Sequence, residues 1–115
     1  MNTDEFVEAI RKVVVEPMAN TTVGLLCRPP GRKPSAELVE LSKWFAELSD
    51  DDQIMIERLL AMVARDSVFE VFAVLDGAMK VDPSWAPGDH FELRHVHGGQ
   101  VDVISGPETA LHELL

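Results

Sequence analysis

The stretch SVFEVFAVLDGAMKV, residues 67–81, decides the fold. Its first nine residues are almost wholly apolar, so periodicity alone does not separate a helix buried on most sides from a central strand. Asp76-Gly77 suits either ending, as the glycine just past a helix or as the centre of a two-residue hairpin turn. In the second case Ala78–Val81 becomes a return strand and the sheet gains two members. The helical pattern running from Ala61 to Leu75 favours helix. Its one interruption is Asp66-Ser67, where Ser67 and Glu70 have capping-box spacing and predict a break and restart.

Upstream, Ser49 is placed to cap a helix with Asp50, Asp51 and Asp52 in its first turn and a wide apolar face of Met55, Ile56, Leu59, Leu60 and Val63. Consecutive helical carboxylates point about 100° apart, so the triplet does not converge on one cation; it complements the helix dipole instead. Before it, Ser35 caps a helix whose face is Leu38, Leu41, Phe45 and Leu48, with Trp44 at the edge. Three prolines and a glycine forbid regular structure in RPPGRKP, residues 28–34, which is expected to be a flexible, solvated linker between an N-terminal helix and the main body. That first helix covers residues 3–15, with a stripe of Phe6, Ile10, Val13 and Val14, and Pro17 is expected to end it near Val15. Thr21–Cys27 is a short strand or a buried loop.

Downstream, residues 82–90 form a loop with Pro87-Gly88 suited to a type II turn. FELRHVHGGQVDVI, residues 91–104, is a hairpin. A Gly98-Gly99 turn sets Arg94 opposite Val103 and mixes polar and apolar residues on both faces. A three-residue loop of His97, Gly98 and Gly99 sets Leu93 opposite Val103 and Arg94 opposite Asp102, giving an apolar face of Phe91, Leu93, Val101 and Val103. The second register is the expected one, with His95 facing the helices. ETALHELL closes the chain as a helical turn or two. The fold class is therefore α+β: about four α-helices packed against a C-terminal antiparallel β-hairpin, with Thr21–Cys27 as candidate third strand, in a single domain over residues 1–115.

Charge is uneven. From Pro34 onward sixteen Asp and Glu stand against five Lys and Arg, while residues 1–33 carry five basic and four acidic groups. About six of these acids have helix-start explanations, and Asp102 is assigned to Arg94. The remaining excess argues against binding nucleic acid or an anionic membrane and favours a basic protein partner. No apolar run reaches the roughly 20 residues of a membrane span. The N-terminus lacks the pattern of a signal peptide, and Cys27, alone, permits no internal disulfide, so the cytoplasm is the expected location.

No strong catalytic or metal motif is present, and no cofactor is expected. His90, His95, Asp102 and His112 are the candidate metal ligands for a small metal-dependent or ligand-binding enzyme. Cys27, beside Arg28, lacks an oxyanion hole at a recognisable spacing. Asp82 and Asp89 flank Trp85, which suits acid–base work or, better, an interface anchored by the aromatic ring with His90 beside it. Homodimerisation through apolar surface is a further means of covering exposed side chains. Leu111–Leu115 fits an LxxLL pattern, though a tail folding back on its own core explains it as well.

The residues from Leu41 onward, with Trp44, the triplet Leu75-Asp76-Gly77, the FELRHV strand, the glycine turn and Leu111-His112, resemble a group of small uncharacterised bacterial proteins. The resemblance implies that Asp76-Gly77 and the tail are framework parts. By analogy of charge and size alone, small acidic folds of this kind are similar to immunity proteins that neutralise basic toxin domains. The expected function is a non-enzymatic, acidic interaction protein.

Overall fold

The structure, a computed structural model, describes residues 1–115. It is an α+β chain: α1 Thr3–Ile10, a π-helical turn Arg11–Val15, α2 Glu16–Cys27, α3 Ala36–Glu47, α4 Asp50–Leu75, β1 Leu93–His97, β2 Gln100–Ser105 and α5 Leu111–Leu114. Residues 67–75 are helical, as the Ala61–Leu75 pattern predicts. Two compact units divide the chain: residues 1–13 with 66–115, and residues 14–65.

In the first unit, Val7, Phe72, Ile104 and Leu111 form a buried cluster, and Phe6, Ile10, Val68, Leu75, Leu93 and Leu115 pack round it. The cluster draws one residue from each of α1, α4, β2 and α5, so it exists only when distant parts of the sequence meet. Asn2 and Glu5 complete a capping box at the start of α1. Thr3 Oγ1 donates to the Ile104 carbonyl at 2.7 Å, and the Arg11 guanidinium donates to the carbonyls of Leu114 and Leu115 at 2.7 and 3.0 Å.

α4 runs without a break, and Ser67 caps nothing. An isolated polar pair inside a 26-residue helix is outweighed by the turns on either side, since propagation adds one hydrogen bond per residue fixed while a new start costs a nucleus. The helix ends where Gly77 adopts φ +78°. The Ala78 amide then donates to the Ala73 carbonyl at 2.9 Å and the Gly77 amide to Val74 at 3.1 Å, the paired bonds of a Schellman cap.

The hairpin takes the register that patterning disfavours. Arg94 opposes Val103, His95 opposes Asp102, and His97 opposes Gln100 across a two-residue Gly98-Gly99 turn. Gly98 has φ +58°, the left-handed region a tight turn needs at its first central position. The expected pair of Arg94 with Asp102 is absent: Arg94 bonds Glu92 at 2.6 Å, and Asp102 accepts the Met1 amino group at 2.9 Å. A buried face enforces register only where there is one, and Val96, Val101 and Val103 at the tip are about half or more exposed. Phase is restored at the base. Leu93 opposes Ser105 while Arg94 opposes Val103, so Ile104 is the unopposed residue of a bulge. Ile104 and Ser105, adjacent in sequence, are both fully buried there.

In the second unit Pro17 does not end the first helix. The π turn Arg11–Val15 runs straight into α2, and Pro17, which cannot join the helical hydrogen-bond ladder, falls just past that widened turn in a helix that continues through it. Thr21–Cys27, with its β-branched start, is the second half of that helix and adds no third strand. Ala19 and Leu26, seven residues and about two turns apart, are its buried side chains. Residues 28–35 connect α2 to α3 inside this unit, with Gly31 at φ +79°. The Ser42 hydroxyl donates to the Leu26 carbonyl at 2.5 Å, tying the two helices. Ser35 and Ser49 both cap as their positions predict, accepting from Leu38 N and Asp52 N at 3.2 Å. Phe45 is the one large side chain fully buried here.

Candidate functional site

The loop that carries Asp82, Trp85, Asp89 and His90 is ordered by its own hydrogen bonds. Asp82 Oδ1 accepts the Ser84 amide at 2.8 Å, and the Trp85 amide donates to the Asp82 carbonyl at 3.1 Å. Pro87-Gly88 makes the anticipated type II turn: Gly88 has φ +97°, and the Asp89 amide donates to the Ala86 carbonyl at 3.1 Å. Asp89 Oδ2 accepts the Ala86 amide at 2.9 Å, closing the turn with a side chain. Trp85 packs its indole against the Phe91 ring, centroids 4.9 Å apart and tilted by 54°. Beside the indole is a cleft of about 290 Å³ lined by Met79, Lys80, Trp85, Pro87 and Asp89, among others.

Electrostatics follow from these contacts. The Ser84 amide and hydroxyl hold the Asp82 carboxyl below its ordinary pKa. His90 is pushed above the ordinary imidazole value by its bond to the Gly88 carbonyl at 2.9 Å and then by Glu92. Glu92 itself is held low by Arg94 and His90. The four residues picked from sequence share one loop. They are joined by Phe91, which patterning assigns to the hairpin's apolar face, and by Glu92, Met79 and Lys80, which sequence spacing did not single out.

The candidate metal ligands do not assemble. His90 lies 3.6 Å from Glu92, and His95 stacks on His97 with centroids 6.0 Å apart, its Nδ1 4.0 Å from Asp102. His95 is about two-fifths exposed, with Nδ1 3.4 Å from the Met1 amino group. No group of three His, Cys, Asp or Glu side chains is placed to share a metal ion. Cys27 is exposed at the end of α2, in the unit that holds no histidine.

His112 has another partner. Asp76, its side chain 3% exposed, accepts the His112 amide at 2.8 Å and bonds His112 Nδ1 at 2.5 Å. Ser105 Oγ donates to the other carboxylate oxygen at 3.3 Å. Burial acts to raise the Asp76 pKa, but the bonds from His112, Leu111 and Ser105 outweigh it and leave the carboxyl below its ordinary value. The edge of His112 meets Phe69, centroids 5.5 Å apart. Asp, His and Ser together suggest acyl-transfer chemistry, yet the serine hydroxyl sits on the carboxylate, fully buried, and no base activates it. The cluster is a clasp: one carboxylate holds the end of α4, the base of β2 and the start of α5. Nothing in the local sequence announces it, because Asp76 and His112 are 36 residues apart. No protein-family model, no curated protein and no solved structure matches this chain.

Proposed function

We propose that this chain is a non-enzymatic interaction protein that binds a basic protein partner, with Trp85 and its loop as the anchor. One observation carries the reading: the negative charge concentrates on the unit that bears the loop. Residues 1–13 and 66–115 contain twelve Asp and Glu against four Lys and Arg, whereas residues 14–65 contain eight against six. A net −8 surface steers a cationic partner, and a loop already fixed by its own hydrogen bonds loses little entropy on binding. Asp82 and Asp89 keep their carboxylates oriented by backbone amides, and the half-covered indole offers the rigid aromatic contact that interface anchors favour. Covering the active surface of a basic enzyme is the simplest biological role for such a face, as immunity proteins do.

The test is binding of the whole chain to an array of Lys- and Arg-rich peptides, with Glu-rich peptides as control, between about 50 and 300 mM salt. Binding should be confined to the basic set and weaken steeply with salt. Trp85→Ala should weaken it by about 30-fold or more, the size expected of an anchoring aromatic. Salt-independent binding, or no preference for basic peptides, overturns the reading.

A further inference from the structure

The second unit holds an apolar helix face that nothing in the chain covers. Along its part of α4, Ile56, Leu60 and Ala64 recur on one side and are partly buried. Met55, Leu59 and Met62 recur on the neighbouring side, roughly 130° round the helix, and are 56%, 49% and 55% exposed, with Val63 between the two sets at 51%. Asp52, Met55, Leu59, Met62 and Asp66 follow one another at alternating steps of three and four residues, the spacing of a seam between two paired helices. On α3, Leu41 and Trp44 are also close to half exposed.

We infer that this face pairs with the same face of a second copy of the chain, α4 lying antiparallel to α4 about a two-fold axis at Leu59. Three observations select that occupant. The unit is short of core: its 52 residues bury only Ala19, Leu26 and Phe45, and segments of that size depend on staples or on association. The apolar area is also of the right size. A large side chain carries roughly 150–250 Å², so Met55, Leu59, Met62 and Val63 at about half exposure present on the order of 350 Å² on α4 alone. With a polar rim this approaches the roughly 800 Å² that each partner brings to a standard interface. Finally, charge permits the pairing. Residues 14–65 carry eight acidic and six basic side chains, so copies meeting here repel little.

Charge also sets the direction. A parallel pair would put the two Asp50–Asp52 triplets side by side. An antiparallel pair centred on Leu59 separates the triplets by about sixteen residues of helix, more than 20 Å, well beyond the screening length of about 8 Å at physiological salt, and leaves one contact of Asp52 with Asp66 of the second copy at each end in place of triplet against triplet. The seam owes nothing to the acidic loop of the first unit, and the two proposals stand or fall separately.

Sedimentation of the whole chain from about 1 to 200 μM tests the pairing. The expected result is a shift from 12.7 kDa towards twice that mass, and Leu59→Glu should weaken association about 100-fold while Trp85→Ala leaves it unchanged. Leu59 is half exposed, so the charged variant keeps its fold, and its far-ultraviolet dichroism should match wild type. Cross-linking tests the geometry, with Cys27→Ser as background. Leu59→Cys should form a disulfide with its own copy under mild oxidation. Met55→Cys should not, because an antiparallel pair puts its two copies about eight residues, 12 Å, out of register, beyond disulfide reach. Self-linking of both variants indicates a parallel seam and overturns the antiparallel arrangement. A chain that stays monomeric at 200 μM, or a dimer indifferent to Leu59→Glu, overturns the pairing itself.

Discussion

The two units solve the same problem with different means. The first, residues 1–13 and 66–115, closes a core of Val7, Phe72, Ile104 and Leu111 and locks its loop-rich parts with a buried carboxylate. The second, residues 14–65, is built of longer helices yet buries only Ala19, Leu26 and Phe45, and like the first it leaves large apolar side chains in solvent. Helix content is therefore a poor guide to how well a segment is held. Propensity and capping make the rods of the second unit, whereas long-range contacts make the first unit's core.

The contrast can be broken by substitution. Phe72→Ala should have the largest effect, about 3–5 kcal/mol in urea unfolding, because its ring is 4% exposed and its neighbours come from separate elements. A loss below about 1 kcal/mol would show that the first unit is no better packed than the second. Asp76→Ala follows at roughly 2–4 kcal/mol, since it strands the His112 amide and the Ser105 hydroxyl in a buried site.

The same carboxylate gives a pH signature. Its folded pKa lies below the unfolded value near 3.9. Its stabilisation is thus complete above that value and is lost as pH falls through the folded pKa. Wild type should lose its advantage over Asp76→Asn in acid unfolding series below about pH 4, and a gap that persists unchanged to pH 2 would refute the clasp. Gly77→Ala should cost about 1 kcal/mol by forcing a side chain into φ +78°, read as a lower thermal midpoint. At the small end, Met62→Gln in dilute, monomeric protein should change stability by no more than about 0.5 kcal/mol, because the side chain is already 55% exposed. A loss of several kcal/mol there would mean the second unit buries more than it displays.

What was legible in the sequence tracks the range of the interaction. Ser35, Ser49, the aspartate triplet and the Pro87-Gly88 turn act over three or four residues, and each sits where its chemistry dictates. Signals weighed as stops failed when the flanking helix was strong: Pro17 was absorbed after a π turn, and Asp66-Ser67 was overrun. Thr21–Cys27 became helix because Ala19 and Leu26 share a face with a partner that no local pattern reveals. Patterning gives the wrong hairpin register because alternation specifies pairing only along a buried face, and only the base of this hairpin has one. Of the candidate site, the loop residues were legible from composition and the Trp85–Phe91 contact follows from their proximity. The pairing of His112 with Asp76 was not legible, since Asp76 reads in sequence as nothing more than a helix end.

The bulge at Ile104 has an engineering consequence. It works as a one-residue frameshift that separates the hairpin into a base, whose inward positions are fixed, and a tip, whose valines are exposed. Sequence drift or a pair of inserted residues between Val96 and Val101 leaves Ile104 and Ser105 in place. The tip is thereby a graft point, where a foreign loop can be carried without disturbing the Asp76 clasp beneath it.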